Sequence, residues 1–277
     1  MKKKIYSVCA LLIALAMIFS FAACDSFTTE EETTEPPIIS KTPMPESDEA
    51  ALNYFNGLIN AVKAGKPGTL KEQTGKNVSD VICGEEDGER NELLENAFPT
   101  LKGYILQSAE NVETKYGEDL TDKFPIAGEN WSSKLTMADI KSAVCVENEK
   151  NYELTIILKD EANPTQAGLH GKVFDIPTDA DRQAIVKEFQ DKAKDYITIS
   201  GIDSLEYTEC QIFCVIERET DKLLSVEYSR NVKIGTTLTG VGTLESMGTL
   251  PCSFKYSYAE KYSFDWTDPA TTTEAAE

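Results

Sequence analysis

Cysteine and histidine are the residue types of this chain best suited to nucleophilic or redox chemistry. The sequence has seven cysteines and a single histidine, His170. One histidine excludes the two-histidine zinc motif and leaves only one possible Ser–His or Cys–His pair for nucleophilic catalysis. His170 lies between Gly168 and Gly171 in a long loop, and we expect a solvated surface histidine there. The thiols fall mainly on predicted core positions, whereas a reactive cysteine needs exposure and a lowered pKa.

Five cysteines lie beyond the first 24 residues, and their positions leave two interpretations open. Cys210 and Cys214 fall on one face of a predicted strand, about 13 Å apart, so they cannot form a disulfide with each other. Each could pair with a neighbouring strand, or all could be buried reduced thiols that act as small apolar side chains. The five are Cys83 and the four named below, and because the count is odd, at least one thiol stays unpaired in a monomer. The candidate disulfide residues, all predicted to face the core, are Cys145, Cys210, Cys214 and Cys252.

The N-terminal segment has the organisation of a bacterial secretion signal. Lys2–Lys4 form a basic start, and an uncharged apolar run extends from Ile5 to Ala23. Phe21-Ala22-Ala23-Cys24 resembles the lipobox of bacterial lipoproteins, although that family prefers leucine where Phe21 stands. The resemblance implies that residues 1–23 are cleaved and that Cys24 is lipidated, which anchors the protein at the extracytoplasmic face of the cell membrane. An uncleaved transmembrane anchor is the alternative, because the apolar run could span a bilayer.

The chain is strongly acidic, with 47 acidic against 27 basic residues and a formal net charge of −20. Such a charge repels the phosphate backbone, which excludes nucleic acid as a general partner. It also repels anionic lipid, so attachment to the membrane must come from acyl chains on Cys24. The sequence has no Walker, Gly-x-Ser-x-Gly, Ser-x-x-Lys or Cys-x-x-Cys motif. We therefore expect no enzymatic activity, no metal and no cofactor.

Composition divides the chain into a signal segment and three further parts. Residues 24–46 are rich in threonine, glutamate and proline, which favours an extended, solvated tether. Residues 47–266 show the apolar periodicity of a folded domain, and we expect a single globular α+β unit there. Residues 267–277 are a short polar tail that we expect to be disordered.

Helical periodicity is clearest in two places. Ser47 is a good N-cap with acidic residues after it, and the apolar spacing predicts a helix that stops before Pro67. Thr178 is expected to cap a second helix over residues 179–194. The apolar face of that helix would comprise Ile185, Phe189 and Ala193. Weaker helical patterns cover two further ranges, 89–108 and 134–141.

From Ser142 the apolar period becomes that of a strand. A hairpin is predicted around the turn Asn148–Asn151. We expect the last two strands of the chain to pair with glycines opposite Phe254 and Cys252, where a missing side chain leaves room for a bulge. In that register Gly240 faces Phe254, and Gly242 faces Cys252. The three long strands are predicted at about 205–217, 223–244 and 250–265.

Together these patterns predict an α+β fold. Because a strand of about 20 residues must twist, we expect a curved antiparallel β-sheet of about five or six strands, half-barrel-like. The N-terminal helices and one inserted helix would pack on its concave face. The order of elements over residues 50–266 is similar to that of the half-barrel carriers of lipoproteins and lipids, such as the LolA and LppX types. This resemblance concerns order and pattern and carries over no functional residue.

Two functions are compatible with such a fold. In the first, the anchored domain binds an apolar small molecule or a lipid between the sheet and the helices. In the second, the core is filled, and the domain is a non-enzymatic structural or protein-interaction module of the cell envelope. Tyrosines on the inward face favour a pocket, because buried hydroxyl groups need partners. The residues predicted to line the ligand site are Phe55, Leu58, Tyr228, Leu238, Phe254 and Tyr256.

Overall fold

The structure is a computed structural model, and it describes most of the chain beyond residue 38. The described ranges are 39–85, 88–92, 94–96, 110–121, 123–126 and 133–269. The predicted signal segment, Cys24, most of the predicted tether, most of the helix predicted at 89–108 and most of the predicted polar tail lie outside the described residues. The described part is an α+β structure with one large open antiparallel sheet, which confirms the predicted fold class.

Helix α1 spans Asp48–Gly65 and begins where the sequence predicts. The Ser47 side chain accepts a hydrogen bond from the Ala50 amide, and the acidic first turn suits the positive end of the helix dipole. The helix ends because Lys66 adopts a left-handed conformation with φ 48°. Its buried residues are Ala51, Leu52, Phe55, Leu58, Ile59 and Val62. We call the face of the sheet that packs against α1 the inner face.

The described residues form a sheet of nine strands, more than the five or six predicted. The strand order is β2-β1-β9-β8-β7-β4-β3, with β5 paired to β7 and β6 paired to β8. The first strand therefore pairs with the last. The strands are β1 (Gly68–Cys83), β2 (Val112–Thr114), β3 (Ile140–Asn148), β4 (Asn151–Leu158), β5 (Glu161–Ala162), β6 (Ile197–Ile199), β7 (Ser204–Glu217), β8 (Lys222–Gly240) and β9 (Thr249–Asp265).

Strand β1 has no counterpart in the sequence prediction, although it is 16 residues long. Register shifts between Gln73 and Gly75 and between Ser79 and Ile82 interrupt its pairing with β9. Because a bulge moves the following side chains to the other face, the strand shows no continuous period of two. Pairing with β9 along its length, rather than an apolar pattern of its own, defines this strand.

The predicted register of β8 and β9 is wrong by six residues. Ile234 lies opposite Phe254, and Thr236 lies opposite Cys252, where glycines were expected. The faces are nevertheless as predicted, because an even displacement keeps the same side chains on the inner face.

A short 3₁₀ turn, Gly242–Met247, accounts for this displacement. Gly242 has φ 58°, a left-handed conformation that glycine adopts readily and a strand does not contain. A side chain at Gly240 would collide with the carbonyl group of Leu244, so the turn packs closely against the end of β8. The glycines therefore end the strand instead of forming a bulge within it.

Two local predictions are confirmed. Asn148 lies opposite Asn151 in the hairpin of β3 and β4. Helix α2 spans Asp179–Ala193, and Thr178 caps it through a reciprocal pair of hydrogen bonds with Asp181. The predicted apolar face of α2 is only partly correct, because Ile185 is 58% exposed.

The short helix predicted over 134–141 is wrong. Residues 137–139 form a turn, and β3 starts at Ile140. The Asp139 carboxylate accepts hydrogen bonds from the amide and the hydroxyl of Thr136, both at 2.8 Å, and such local bonds compete with helix formation. The same carboxylate binds Lys172 Nζ at 2.7 and 2.8 Å, which ties this turn to the 3₁₀ turn His170–Lys172.

The end of the predicted tether is held against the folded domain. The Lys41 amide donates to the Arg218 carbonyl at 2.8 Å, and the Thr42 hydroxyl donates to Asp221 Oδ2 at 2.5 Å. Tyr54 on α1 donates to the other oxygen of Asp221 at 2.8 Å. Residues 41 and 42 thus lie against the turn between β7 and β8.

Buried apolar side chains form two clusters on this framework. The main core lies between α1 and the inner face and includes residues of β3, β4, β7, β8 and β9. The second cluster lies toward the other end of β8 and β9, where α2 packs near β6. Its buried members are Cys83, Leu94, Ala193, Ile197, Leu238 and Cys252.

Candidate functional site

Three of the six residues predicted to line a ligand site belong to the main core. Phe55 and Leu58 on α1 and Tyr228 on β8 are at most 4% exposed. Phe124, which is 0% exposed, occupies the space beside Tyr228. Its ring lies edge-on to three others, at centroid distances of 6.5, 4.9 and 5.2 Å, those of Tyr228, Tyr262 and Phe264. Protein side chains therefore fill the region where the first hypothesis places an apolar ligand.

The other three predicted residues lie further along the inner face. Leu238 is 3% exposed and belongs to the second cluster. Phe254 and Tyr256 are half-buried on β9 between the two clusters. The buried members of the predicted set are therefore divided between two separate clusters. A pocket of about 310 Å³ lies at the end of α1, lined by Lys63, Lys66, Asp119, Leu120 and Thr121.

A polar and aromatic strip lies on the inner face between the two clusters. It consists of Arg230 on β8 and of Tyr256, Tyr258 and Glu260 on β9, all half-buried, and we call it the inner strip. The Arg230 guanidinium lies 4.6 Å from the ring centroid of Tyr258, a cation–π distance. The rings of Tyr256 and Tyr258 are stacked 6.4 Å apart. Ring faces and a cation are thus presented together at a partly exposed surface.

Glu260 connects the inner strip to the edge of the main core. Its carboxylate accepts hydrogen bonds from the hydroxyls of Tyr258 and Tyr262, both at 3.2 Å, and lies 3.0 Å from Lys71 Nζ. Burial, reinforced by the charge of Glu260, raises the pKa of Tyr258 to about 12. The hydroxyl therefore remains a protonated donor at neutral pH. Donors, ring faces and a guanidinium together suit binding rather than proton transfer.

Arg230 is a residue that the sequence pattern could have indicated. It alternates with Tyr228 and Val232, so it must face inward, and arginine is rarely found at an inward position without a specific partner. In the structure it lies between aromatic rings, 5.8 Å from the centroid of Phe174 on one side and against Tyr258 on the other. A charged residue at an inward position between apolar neighbours is therefore the sequence feature that could have indicated this site.

His170 is not the solvated surface histidine that the sequence suggests, because it is 0% exposed. Glu161 Oε2 accepts hydrogen bonds from the His170 amide and from Nδ1, each at 2.9 Å. A carboxylate can only accept, so Nδ1 carries the proton. Phe174 stacks on the imidazole at 5.9 Å, and Tyr207 meets it edge-on at 5.1 Å. The Glu161 carboxylate thus lets the glycine-flanked loop fold inward around its histidine.

We expect acidification below neutral pH to destabilise the domain through His170. Burial lowers its pKa, although Glu161 and Asp160 act in the opposite direction. The unfolded chain gains a proton near pH 6.5 while the folded chain does not. Because the unfolded state then binds more protons, the free energy of unfolding falls as the pH decreases from 7 toward 5, by at most about 1.4 kcal/mol per pH unit.

Urea denaturation at several pH values measures this effect. His170→Gln keeps a donor for Glu161 but does not titrate, so its free energy of unfolding should vary less over the same range. The assignment is unambiguous because the chain has one histidine. Equal slopes for the two proteins would contradict the prediction.

All five cysteines in the described residues have free, buried thiols. Strand β4 separates Cys145 on β3 from Cys214 on β7, and two strand spacings, about 9.5 Å, exceed the reach of a disulfide. Burial raises the pKa of Cys145 and that of Cys210 to about 11. These protonated thiols lack the features of a nucleophile. Of the four candidate disulfide residues, Cys252 is the one that lies opposite another cysteine, Cys83.

Comparison with known proteins finds no family model, no curated protein and no solved structure that matches the chain. Within the described ranges, His, Cys, Asp and Glu side chains do not gather in groups of three or more that could hold a metal ion. Neither helix described above combines the length and the apolar composition needed to cross a bilayer. The class shown by the described residues is that of an α+β protein with an open nine-stranded antiparallel sheet. The inner strip is its candidate site.

Proposed function

We propose that the protein is a membrane-anchored extracytoplasmic lipoprotein whose domain is a non-enzymatic protein-interaction module. The lipobox pattern that ends at Cys24 supports the anchor. The filled main core supports an interaction module over a carrier of an apolar small molecule or lipid. The inner strip is the surface to which we assign binding, because it combines partly exposed tyrosines with a guanidinium.

The observation that carries the choice between the two functions is the position of Phe124. Its ring occupies the space between Tyr228 and Phe264 on the inner face. An apolar ligand would need this space, and opening it would expose several buried rings to water. Binding at the partly exposed inner strip requires no such rearrangement.

The contacts of Lys41 and Thr42 indicate where the inner strip lies relative to the point at which the tether joins the domain. The chain enters the domain at Lys41 and Thr42, which are bonded to the turn before β8. Arg230 lies nine residues along the chain from Asp221 in that turn, or roughly 30 Å along an extended strand. The inner strip would therefore stand away from the point where the tether joins. We also propose that the bulges of β1 and β7 curve the sheet into the half-barrel shape.

Replacing Cys24 with serine should release the protein from membranes. Two acyl chains give stable anchoring at about 0.8 kcal/mol for each buried CH₂ group, and the acidic domain adds no attraction of its own. Cell fractionation with immunodetection measures the change. Cys9→Ser lies within the same apolar run but outside the lipobox, and it should leave the protein in the membrane fraction. A Cys24→Ser protein that stays membrane-bound would instead indicate the uncleaved anchor.

The released Cys24→Ser protein also tests the interaction module against the apolar carrier. Native mass spectrometry should record the mass of the bare chain, because the main core is filled. A non-covalent lipid that copurifies with the chain and is lost on denaturation would contradict the filled core and support the carrier function.

A further inference from the structure

Two cysteines of the second cluster lie side by side on neighbouring strands. Cys83 is the last residue of β1, and the register places it directly opposite Cys252 on β9. The two residues are 0% and 3% exposed. The side chains are close enough that Cys252 lowers the pKa of Cys83 and Cys83 raises the pKa of Cys252. No other pair of the five described cysteines occupies opposed positions in the strand register.

The backbone around Cys83 shows which kind of cross-strand pair this is. The Cys83 amide donates to Glu95 Oε1 at 2.9 Å, and its carbonyl accepts from the Asn91 amide at 2.7 Å. The ladder bond next to it runs from the Gly84 amide to the Pro251 carbonyl at 2.8 Å. The cysteines therefore form a non-hydrogen-bonded pair, whose Cα atoms are typically about 4.5 Å apart. That separation lies within the range of disulfides.

We propose that Cys83 and Cys252 are joined by a disulfide in the exported protein. The proposal rests on the extracytoplasmic location proposed above, because disulfides form and persist in oxidising compartments. Its site differs from the pairs that the sequence suggests, since Cys83 was not among the four residues predicted to face the core. The cross-link would join the first strand of the sheet to the last one.

The oxidant required is a protein disulfide of the thiol–disulfide oxidoreductase class. The Cys83 thiolate attacks one sulfur of that disulfide, which forms a mixed disulfide and releases one oxidoreductase thiolate. The Cys252 thiolate then attacks the Cys83 sulfur and releases the second. The cysteine pair loses two electrons and two protons, and the oxidoreductase gains them as a dithiol. The exchange takes place before the strand ends become buried, while both thiols are still accessible to the oxidoreductase.

Thiol counting on the full-length chain tests the pairing. Protein from the membrane fraction is quenched in acid, denatured and alkylated, with and without prior reduction. We expect three alkylated thiols before reduction and five after it, since Cys24 carries its thioether. Peptide mapping should link Cys83 to Cys252. In the Cys83→Ala variant the partner thiol should become alkylated, whereas the matched buried-cysteine variant Cys145→Ala should keep the cross-link.

Oxidation of the purified full-length chain tests the cysteine pairing independently of the cellular location. Protein purified in reductant and treated with oxidised glutathione should form the same link, and reduction should lower its Tm by roughly 5–15 °C. Five alkylated thiols after this treatment, or a link between other cysteines, would overturn the pairing. If the link forms in vitro but protein from the membrane fraction still has five free thiols, the pairing is possible but the proposed oxidising location is wrong. The proposed disulfide of the exported protein would then be overturned. Thiol counting does not depend on the Cys83→Ala variant being stable.

Discussion

Replacing Phe124 with alanine is expected to destabilise the domain by about 3–5 kcal/mol, the largest loss that we expect from a single substitution. The side chain is 0% exposed and lies edge-on to Tyr228, Tyr262 and Phe264. Two of these rings belong to β9 and one to β8, so the strand ladder limits their movement into the vacated space. The substitution would thus lose both the buried ring and its edge-to-face contacts, and it would leave a cavity.

Urea denaturation and thermal unfolding measure this loss. The midpoint temperature should fall by roughly 6–20 °C, given the usual relation for a domain of this size. Tyr196→Ala removes an aromatic side chain that is 59% exposed, and its effect should stay within about 0.5 kcal/mol. The vacated apolar space should also bind a benzene-sized probe. A stability loss below about 1 kcal/mol, or equal probe binding by the unchanged protein, would contradict the filled core.

Replacing Asp139 with alanine is expected to cost about 2–3 kcal/mol, the second largest effect. The carboxylate is 6% exposed, binds Lys172 through both oxygens and accepts two hydrogen bonds from Thr136. Its removal leaves a partly buried cation and unpaired donors. The cost stays below that of a fully buried pair, because the Lys172 side chain is 28% exposed.

A double-mutant cycle isolates the ion pair from its surroundings. Lys172→Met combined with Asp139→Ala should cost less than the two single changes together, because neither charge is then left unpaired. Asp191→Ala breaks an exposed pair with Lys187 on α2 and should leave the denaturation midpoint unchanged. Strict additivity would contradict a direct interaction between Asp139 and Lys172.

The Asp139 carboxylate should cause a second decrease in the free energy of unfolding, at a lower pH than the one caused by His170. Burial acts to raise the pKa of Asp139, but hydrogen bonds from Lys172 and Thr136 outweigh it and lower the pKa. The stabilisation is complete above the ordinary aspartate pKa, near 3.9, and is lost as the pH falls through the lowered value. The effect of His170 appears nearer neutrality, so the two groups act in separate parts of the pH range.

Elements defined by neighbouring residues could be predicted from the sequence. Ser47 and Thr178 each cap a helix through a hydrogen bond that reaches only three residues along the chain. The turn between Asn148 and Asn151 and the alternation along β8 and β9 are local in the same sense. The inward faces of the long strands were therefore correct even where their register was displaced.

Features that depend on distant residues could not be predicted in this way. Strand β1 lacks a continuous apolar period and is defined by β9, whose residues follow more than 160 positions later. The burial of His170 depends on Tyr207 on β7, which lies against its ring and is 37 positions further along the chain, as well as on the nearby Glu161. Its glycine-rich surroundings, taken alone, indicate a surface loop.

The sequence by itself determined the acidic charge, the α+β class and the capped helices, since each depends on composition or on short-range interactions. Tertiary structure alone decided that Phe124 fills the main core, that Cys83 meets Cys252, and that Arg230 lies among aromatic rings. Each of these joins side chains that are far apart along the chain. Their proximity depends on strand register, and register depends on bulges and turns that hydrophobic periodicity does not encode.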